Sequence, residues 1–443
     1  MDTPIADFVR SYAASGASRL HMPGHKGKGP LGCEHLDLTE IPGADALYEA
    51  DGIIARSEEN AAALFGSGRT LYSTEGSSQC IRAMLYLALT CRPQGTKPLV
   101  LVARNVHKAF VYAAALLDLE VRWLWPREQG SLCSCAVTPE ALQATLEELD
   151  APPACVYLTS PDYLGGRADV AALAQLCHQY GTILAVDNAH GAYLHFLEQP
   201  CHPLDLGADL CCDSAHKTLP VLTGGAYLHI SKNAPAAFAG NAKAAMALFG
   251  STSPSYLILA SLDLCNGYLS GDYRAELARC VEQLDVLRTQ LANNGWQVED
   301  TDPLRLTLSA PQGLRGTQLS QRLREGGVEC EFADPDYVVL MATPRNSPED
   351  FARVAAALGV NTAPAAKRKP LPPAVAEQAC SIREALFRPH ETIPAEQGLG
   401  RVCAAPTVAC PPAIPIVVSG EVITPAAMSL LRYYKVDTLD VLL

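Results

Sequence analysis

The chain has 443 residues, 49% of them hydrophobic, and a net charge of −13, which suits two or three domains and excludes a nucleic-acid or anionic-membrane partner. Its 16 cysteines are scattered without a Cys-x-x-Cys pair, so the expectation is reduced thiols and no metal site. The N-terminus lacks a basic region followed by an apolar core, and no apolar run reaches about 18 residues, so a cytoplasmic location is expected.

In chain order, residues 3–16 predict a short amphipathic helix with Ile5, Phe8, Val9 and Tyr12 on one face. The segment Leu20-His21-Met22-Pro23-Gly24-His25-Lys26-Gly27-Lys28-Gly29 is too rich in glycine for regular structure. It is either a solvated loop or one that reaches into an active site. A helix over 54–64 leads to a strand at 70–73, then Thr74-Glu75-Gly76-Ser77-Ser78, then a helix over 81–90. Gly76, Ser77 and Ser78 stand where a strand end meets a helix start, a place that suits a phosphate and equally suits a plain serine N-cap. Strands at 99–102, 121–124 and 154–159 alternate with helices over 105–117, 138–149 and 168–180, the pattern of a mostly parallel α/β sheet. His107 sits at one strand-to-helix junction, where its imidazole either stacks on a flat cofactor or starts a surface helix.

The strand Thr182-Ile183-Leu184-Ala185-Val186 ends in Asp187-Asn188-Ala189-His190-Gly191, and carboxyl ends of strands are where open α/β sheets bind ligands. Thirty residues on, Asp213-Ser214-Ala215-His216-Lys217 places hydrogen-bonding side chains one and three positions before a lysine. That pattern suits a Schiff-base nucleophile, with Ser214 and His216 beside an anionic group. Asp187 and Lys217 together fit an enzyme of pyridoxal 5'-phosphate (PLP), whose ring accepts the electrons of a bond broken at the substrate α-carbon. Further on, helices over 234–248, 272–293, 317–325 and 348–358 and strands near 296–299, 303–309, 328–332 and 337–341 predict a smaller α/β unit. The domain boundaries read as an N-terminal arm 1–53, a large domain 54–271, a small domain 272–360, a linker 361–373 and a C-terminal domain 374–443 that opens with a helix over 374–386.

These stretches resemble the Orn/Lys/Arg decarboxylase family in its short form, without the N-terminal wing domain of the long members. The matching motifs include Met22-Pro23-Gly24-His25-Lys26-Gly27, Asp37-Leu38-Thr39-Glu40, Gly76-Ser77-Ser78, Arg104-Asn105-Val106-His107-Lys108, Asp187-Asn188-Ala189-His190-Gly191, Ser214-Ala215-His216-Lys217 and Thr252-Ser253-Pro254-Ser255-Tyr256. Gly400-Arg401-Val402, Pro411-Pro412-Ala413-Ile414-Pro415 and Gly420-Glu421 match late in the chain. The resemblance implies PLP fold type I: a mostly parallel central sheet with helices on both faces, a smaller α/β domain and a C-terminal α+β domain. It implies Lys217 as the Schiff-base residue, Asp187 at the pyridine nitrogen, His107 on the ring, and Ser77, Ser78, Ser214 and His216 near the phosphate. Thr252 would reach the phosphate from a partner subunit, so a homodimer or larger homo-oligomer is expected.

The implied reaction is decarboxylation of arginine or lysine, less readily ornithine, in polyamine metabolism, with Lys217 or His190 returning a proton. Asp45 and Glu391 are the candidate partners for the substrate's distal cation. The chain departs from the family pattern at Glu75, Asp162, Asn188, Gly224-Gly225, Cys410 and Ala413. Arg345 would favour a PLP aminotransferase by clamping the substrate carboxylate, and a non-catalytic PLP-binding protein is a third reading.

Overall fold

The computed structural model describes residues 1–90, 98–126, 130–134, 136–364, 371–409 and 414–443. Seven strands alternate with helices through the first half of the chain: β1 (Arg69–Ser73), β2 (Leu99–Ala103), β3 (Glu120–Leu124), β4 (Cys155–Thr159), β5 (Leu184–Asp187), β6 (Leu210–Asp213) and β7 (Ala226–Ile230). The chain forms two compact units, Met1–Gln94 with Cys177–Glu276, and Gly95–Leu176 with Leu277–Leu443. The segment 54–271, read from sequence as one domain, is thus shared between them.

In the first unit β1, β7, β6 and β5 lie side by side in that order. β5 and β6 run parallel, while β7 is antiparallel to both β6 and β1. Every residue of β5, β6 and β7 is buried, which is why each reads as a continuous apolar run closed by a polar residue or a turn. Helix Ser77–Thr90 packs along these strands and buries Ile81, Met84, Leu85 and Leu87. The N-terminal helix forms over Pro4–Ala14, with Pro4 in its first turn and Ile5 and Val9 buried against helices Ile53–Phe65 and Tyr256–Leu269. Its start is tied down by Asp263, which accepts the Ala6 N–H at 2.9 Å.

The second unit holds β4, β2 and β3 in that order, all parallel, with Val100 opposite both Cys155 and Val121. It also holds an antiparallel sheet ordered Phe332–Ala333, Tyr337–Met341, Arg305–Ser309, Gln297–Val298, with helices Gly316–Glu325 and Pro348–Leu358. Near the C-terminus His390–Pro394 pairs with Thr438–Leu442. Arg104, wholly buried at the end of β2, donates to the Pro415 and Ile416 carbonyls at 2.9 and 3.2 Å and lies 3.4 Å from the Glu421 carboxylate. The Trp123 ring covers its guanidinium at 5.1 Å. This explains why arginine recurs in one motif and Gly-Glu in another more than 300 residues away: they close one buried charge pair.

Mostly parallel α/β architecture is therefore present as expected. Two local expectations are corrected. The helix expected over 374–386 begins only at Ile382, because Ser381 and Glu384 form a reciprocal capping box there. The strand expected over 328–332 reduces to Phe332–Ala333. Beyond residue 421 the chain adds helix Pro425–Tyr433, capped by Thr424, and strand Thr438–Leu442. Part of the 361–373 linker lies outside the described residues, as do Cys410 and Ala413.

Candidate functional site

Lys217 lies in the single helical turn Ala215–Thr218 that follows β6, with its backbone N–H bonded to the Ser214 carbonyl at 2.9 Å. Its Nζ is 3.0 Å from His190 Nε2. His190 belongs to the turn after β5, closed by the Gly191 N–H bonding to the Asn188 carbonyl at 2.8 Å. An alanine at 191 would place its Cβ 2.0 Å from Asn188 Oδ1, so the turn needs glycine. Asp187, 2% exposed at the end of β5, accepts from the Ala189 N–H at 3.2 Å and from the Cys212 thiol at 3.6 Å. Two neighbouring strand ends thus bring a buried carboxylate, an imidazole and a lysine to one edge of the sheet.

The candidate phosphate groups are joined to this edge through Gly224 and Gly225. The Gly76 N–H donates to the Gly224 carbonyl at 2.7 Å, and the His216 N–H donates to the Gly225 carbonyl at 3.2 Å. His216 Nδ1 also faces the Gly225 carbonyl at 3.1 Å and Ser214 Oγ at 3.4 Å. Ser77 and Ser78 open helix Ser77–Thr90, and Gly76 just before them has φ +72° and open space on the side where a Cβ would stand. Hydroxyls and free N–H groups at that helix start suit an anion. The Gly224-Gly225 departure has a steric reason here: at φ +99°, a Cβ on Gly224 would come 2.8 Å from the Thr74 carbonyl. Glu75 accepts a hydrogen bond from the Ser251 N–H, which ties the cradle turn to the exposed loop carrying Thr252.

The Asp45 carboxylate accepts the backbone N–H groups of Ala46, Gly52 and Ile54 at 2.9 Å each and of Asp51 at 3.1 Å. It braces the loop before helix Ile53–Phe65. Two histidines that the sequence does not mark hold the end of β6, four residues before the lysine. His202 and His229, both wholly buried, each direct Nε2 at the Asp213 carboxylate, at 3.0 and 3.2 Å. No local spacing announces them, since they lie 11 residues before and 16 after Asp213.

The remaining candidates belong to the second unit. His107 is the N-cap of helix Lys108–Leu116, and its Nδ1 accepts the Ala109 N–H at 3.1 Å, which leaves Nε2 as the protonated nitrogen. Asp162 is buried in a turn where it accepts the Leu164 and Gly166 N–H groups at 2.9 Å each, and burial raises its carboxyl above the ordinary range. Its departure from the family pattern therefore serves a local turn. Glu391 is exposed on strand His390–Pro394 and ion-paired with Arg401 at 2.8 Å. Arg345 is exposed in the loop before helix Pro348–Leu358.

The donor set at the ends of β5, β6 and β1 fits PLP: an amine for its aldehyde, a buried carboxylate for its ring nitrogen, and a glycine-serine helix start for its phosphate. The comparisons with known proteins agree. Residues 3–344 match the model of the Orn/Lys/Arg decarboxylase major domain, and residues 362–438 match that of its C-terminal domain. An arginine decarboxylase of Bacillus subtilis is 28% identical over 96% of this chain and 91% of its own. A lysine decarboxylase of Pseudomonas aeruginosa is 24% identical over 68% of this chain and 46% of its own. The constitutive lysine decarboxylase of Escherichia coli shares the fold, with a TM-score of 0.81 at 17% identity, covering 100% of this chain and 82% of that one. With family models spanning nearly its whole length, the chain belongs to the Orn/Lys/Arg decarboxylases.

Proposed function

We propose that this chain is a PLP-dependent decarboxylase that acts on arginine in polyamine metabolism, with lysine as the alternative substrate. The observation that carries the reading is the 3.0 Å contact between Lys217 Nζ and His190 Nε2, next to the buried Asp187 at a strand end. Arginine is favoured because four relatives named arginine decarboxylases align over 95–97% of the chain at 27–28% identity, whereas a biodegradative arginine decarboxylase and a lysine decarboxylase, both 24% identical, align over only 61% and 68%. When bound, PLP supplies an electron sink for the pair released as the α-carboxylate leaves. Lys217 would tether the cofactor, Asp187 would hold a proton on its ring nitrogen, and Ser77, Ser78, Ser214 and His216 would hold its phosphate. His107 would lie on the ring. His190 is placed to take up or return a proton at Lys217 Nζ.

A homodimer, with Thr252 completing a neighbour's site, belongs to the same reading. Leu20 at 94% exposed and Leu31 at 82% exposed support it, since large apolar side chains on the N-terminal arm gain from being covered. A cytoplasmic location accords with free thiols at the described cysteines and with no described helix long and apolar enough to cross a membrane. The test is carbon dioxide release from arginine, lysine and ornithine offered separately. Arginine should turn over fastest, and Lys217→Ala should lower the rate about a thousandfold or more, roughly 4 kcal/mol of barrier. Wild-type turnover in Lys217→Ala would overturn the assignment, and faster turnover of lysine would overturn the substrate.

A further inference from the structure

The Asp213 carboxylate joins four segments of the first unit. Asn188 Nδ2 donates to Oδ1 at 2.7 Å, and His202 and His229 face Oδ2 at 3.0 and 3.2 Å. On its far side, His229 Nδ1 meets Thr70 Oγ1 at 2.8 Å, which meets Ser67 Oγ at 2.8 Å. Asn188, His202, Asp213 and His229 are all 0% exposed. An ionised carboxylate only accepts, so both Nε2 atoms carry protons. For His202 this agrees with its other nitrogen, which accepts the Leu204 N–H at 3.3 Å. Burial lowers the His229 pKa, and the Asp213 carboxylate works against that. Burial by itself would raise the Asp213 carboxyl, but the two imidazoles outweigh that and hold it far below its ordinary range.

The same residue reaches both turns of the site. Its backbone runs directly into Ser214, whose carbonyl accepts the Lys217 N–H. Its side chain holds Asn188, whose carbonyl closes the turn that carries His190. Asn188 Oδ1 has no hydrogen-bond partner among the described residues, so the Asp213 contact is what orients that amide. We propose that Asp213 is a positioning residue: through Asn188 it fixes the turn that sets His190 against Lys217, and the two buried histidines fix Asp213. This rests on the reading of Lys217 as the cofactor-bearing lysine.

His202, Cys211 and Asp213 also have metal-ligating atoms within 4.8 Å of one another. Hydrogen bonding is the better account, because both carboxylate oxygens already accept from N–H donors at 2.7–3.2 Å.

The deciding measurement is made on cofactor-free protein: the pH dependence with which a lysine-selective acylating reagent labels Lys217, read by peptide mass spectrometry. With His190 Nε2 as the acceptor, the 3.0 Å contact favours the ammonium form of Lys217, so losing it makes the amine available at lower pH. Asn188→Ala should move the labelling midpoint down by half a unit or more. In the holoenzyme it should lower kcat about tenfold with KM changed less than twofold. His229→Leu should move the midpoint the same way. His229→Gln, whose amide can donate to Asp213 and accept from Thr70, should keep the wild-type midpoint. If Asn188→Ala fails to fold, the two His229 variants decide. Unchanged midpoints in folded Asn188→Ala or His229→Leu protein would overturn the proposal. So would one equivalent of zinc that copurifies with the chain and is lost in Cys211→Ala. Borohydride reduction and peptide mapping of the wild-type holoenzyme report separately on whether Lys217 carries the cofactor, so failure of that reading is told apart from failure of this one.

Discussion

Two buried aspartates, one in each unit, meet opposite fates. Asp213 in the first unit is 0% exposed and Asp334 in the second is 4% exposed, so burial hardly separates them. Donors do. Both oxygens of Asp213 are covered, by an amide and two imidazoles, and its carboxyl is held far below the ordinary range. Asp334 receives two backbone N–H groups at 2.7 Å, from Asp336 and Tyr337, on Oδ1 alone. Its Oδ2 has no partner among the described residues. Burial and the neighbouring Asp336 charge push its carboxyl up to about 6, and Arg315 and the two N–H groups offset only part of that. What a buried carboxylate does to a fold is thus set by the donors it meets and hardly by its depth.

The sharpest way to break this contrast is to remove Asp213. Asp213→Ala strands two buried imidazole N–H groups and the Asn188 amide, and breaking a buried pair from one side typically costs about 3–5 kcal/mol. Urea unfolding at pH 7 should show a loss of that order. The pH dependence carries the sign. Because the folded carboxyl is depressed below its ordinary 3.8, its contribution is complete above about pH 4–5 and is lost as pH falls. Wild-type stability should therefore fall more steeply below pH 4 than that of Asp213→Asn. Equal slopes would show that Asp213 is not ionised in the fold.

Asp334 should respond in the opposite direction. Its folded pKa lies above the unfolded value, so stability is highest below about pH 4, declines as pH rises towards about 6, and is then flat. Asp334→Asn keeps an oxygen for the two N–H groups and abolishes the buried charge. It should stabilise the chain at pH 7 by about 1–2 kcal/mol, less than the full shift converts to, because the new NH2 must find an acceptor. Differential scanning calorimetry at pH 4 and pH 7 checks it: the gain should be present at pH 7 and nearly gone at pH 4. A loss of stability at both pH values would mean that the Asp334 charge is better compensated than its partners suggest.

The two aspartates also mark where sequence reading stops. Lys217 and Asp187 were legible because Asp187 ends one apolar strand, Lys217 stands in the turn just after another, and each lies beside residues with matching chemistry, a signal contained within ten residues. Gly76-Ser77-Ser78 was legible for the same local reason. Asp213 is four residues before Lys217, yet its role depends on His202 and His229, which the parallel crossover and the antiparallel return of β7 bring together across long stretches of chain. The bracing role of Asp45 was not legible, because an acid in an irregular loop has no periodicity to say which way it faces, and here it turns onto backbone N–H groups. The late helices are a different case: Ser381-x-x-Glu384 and Thr424-Pro425 are local start signals, and each helix begins at its own.

Glu391 supplies the weakest contrast, a carboxylate that is paired but wet. It and Arg401 have side chains 46% and 37% exposed, and exposed pairs of this kind contribute about 0–1 kcal/mol. Arg401 does not depend on the pair, since its guanidinium also donates to the Leu442 carbonyl at 2.8 Å, which holds it against strand Thr438–Leu442. Glu391→Gln should therefore change stability by less than about 0.5 kcal/mol, an effect that roughly 0.5 M salt should erase. Its kinetic outcome is independent of that. If Glu391 recognises the substrate's distal cation, the amide should raise KM for arginine tenfold or more, about 1.4 kcal/mol, while the visible absorbance of bound PLP stays unchanged. If KM also stays within twofold, Glu391 serves only the Arg401 pair, and the cation's partner is Asp45 or lies elsewhere in the chain or in a partner subunit.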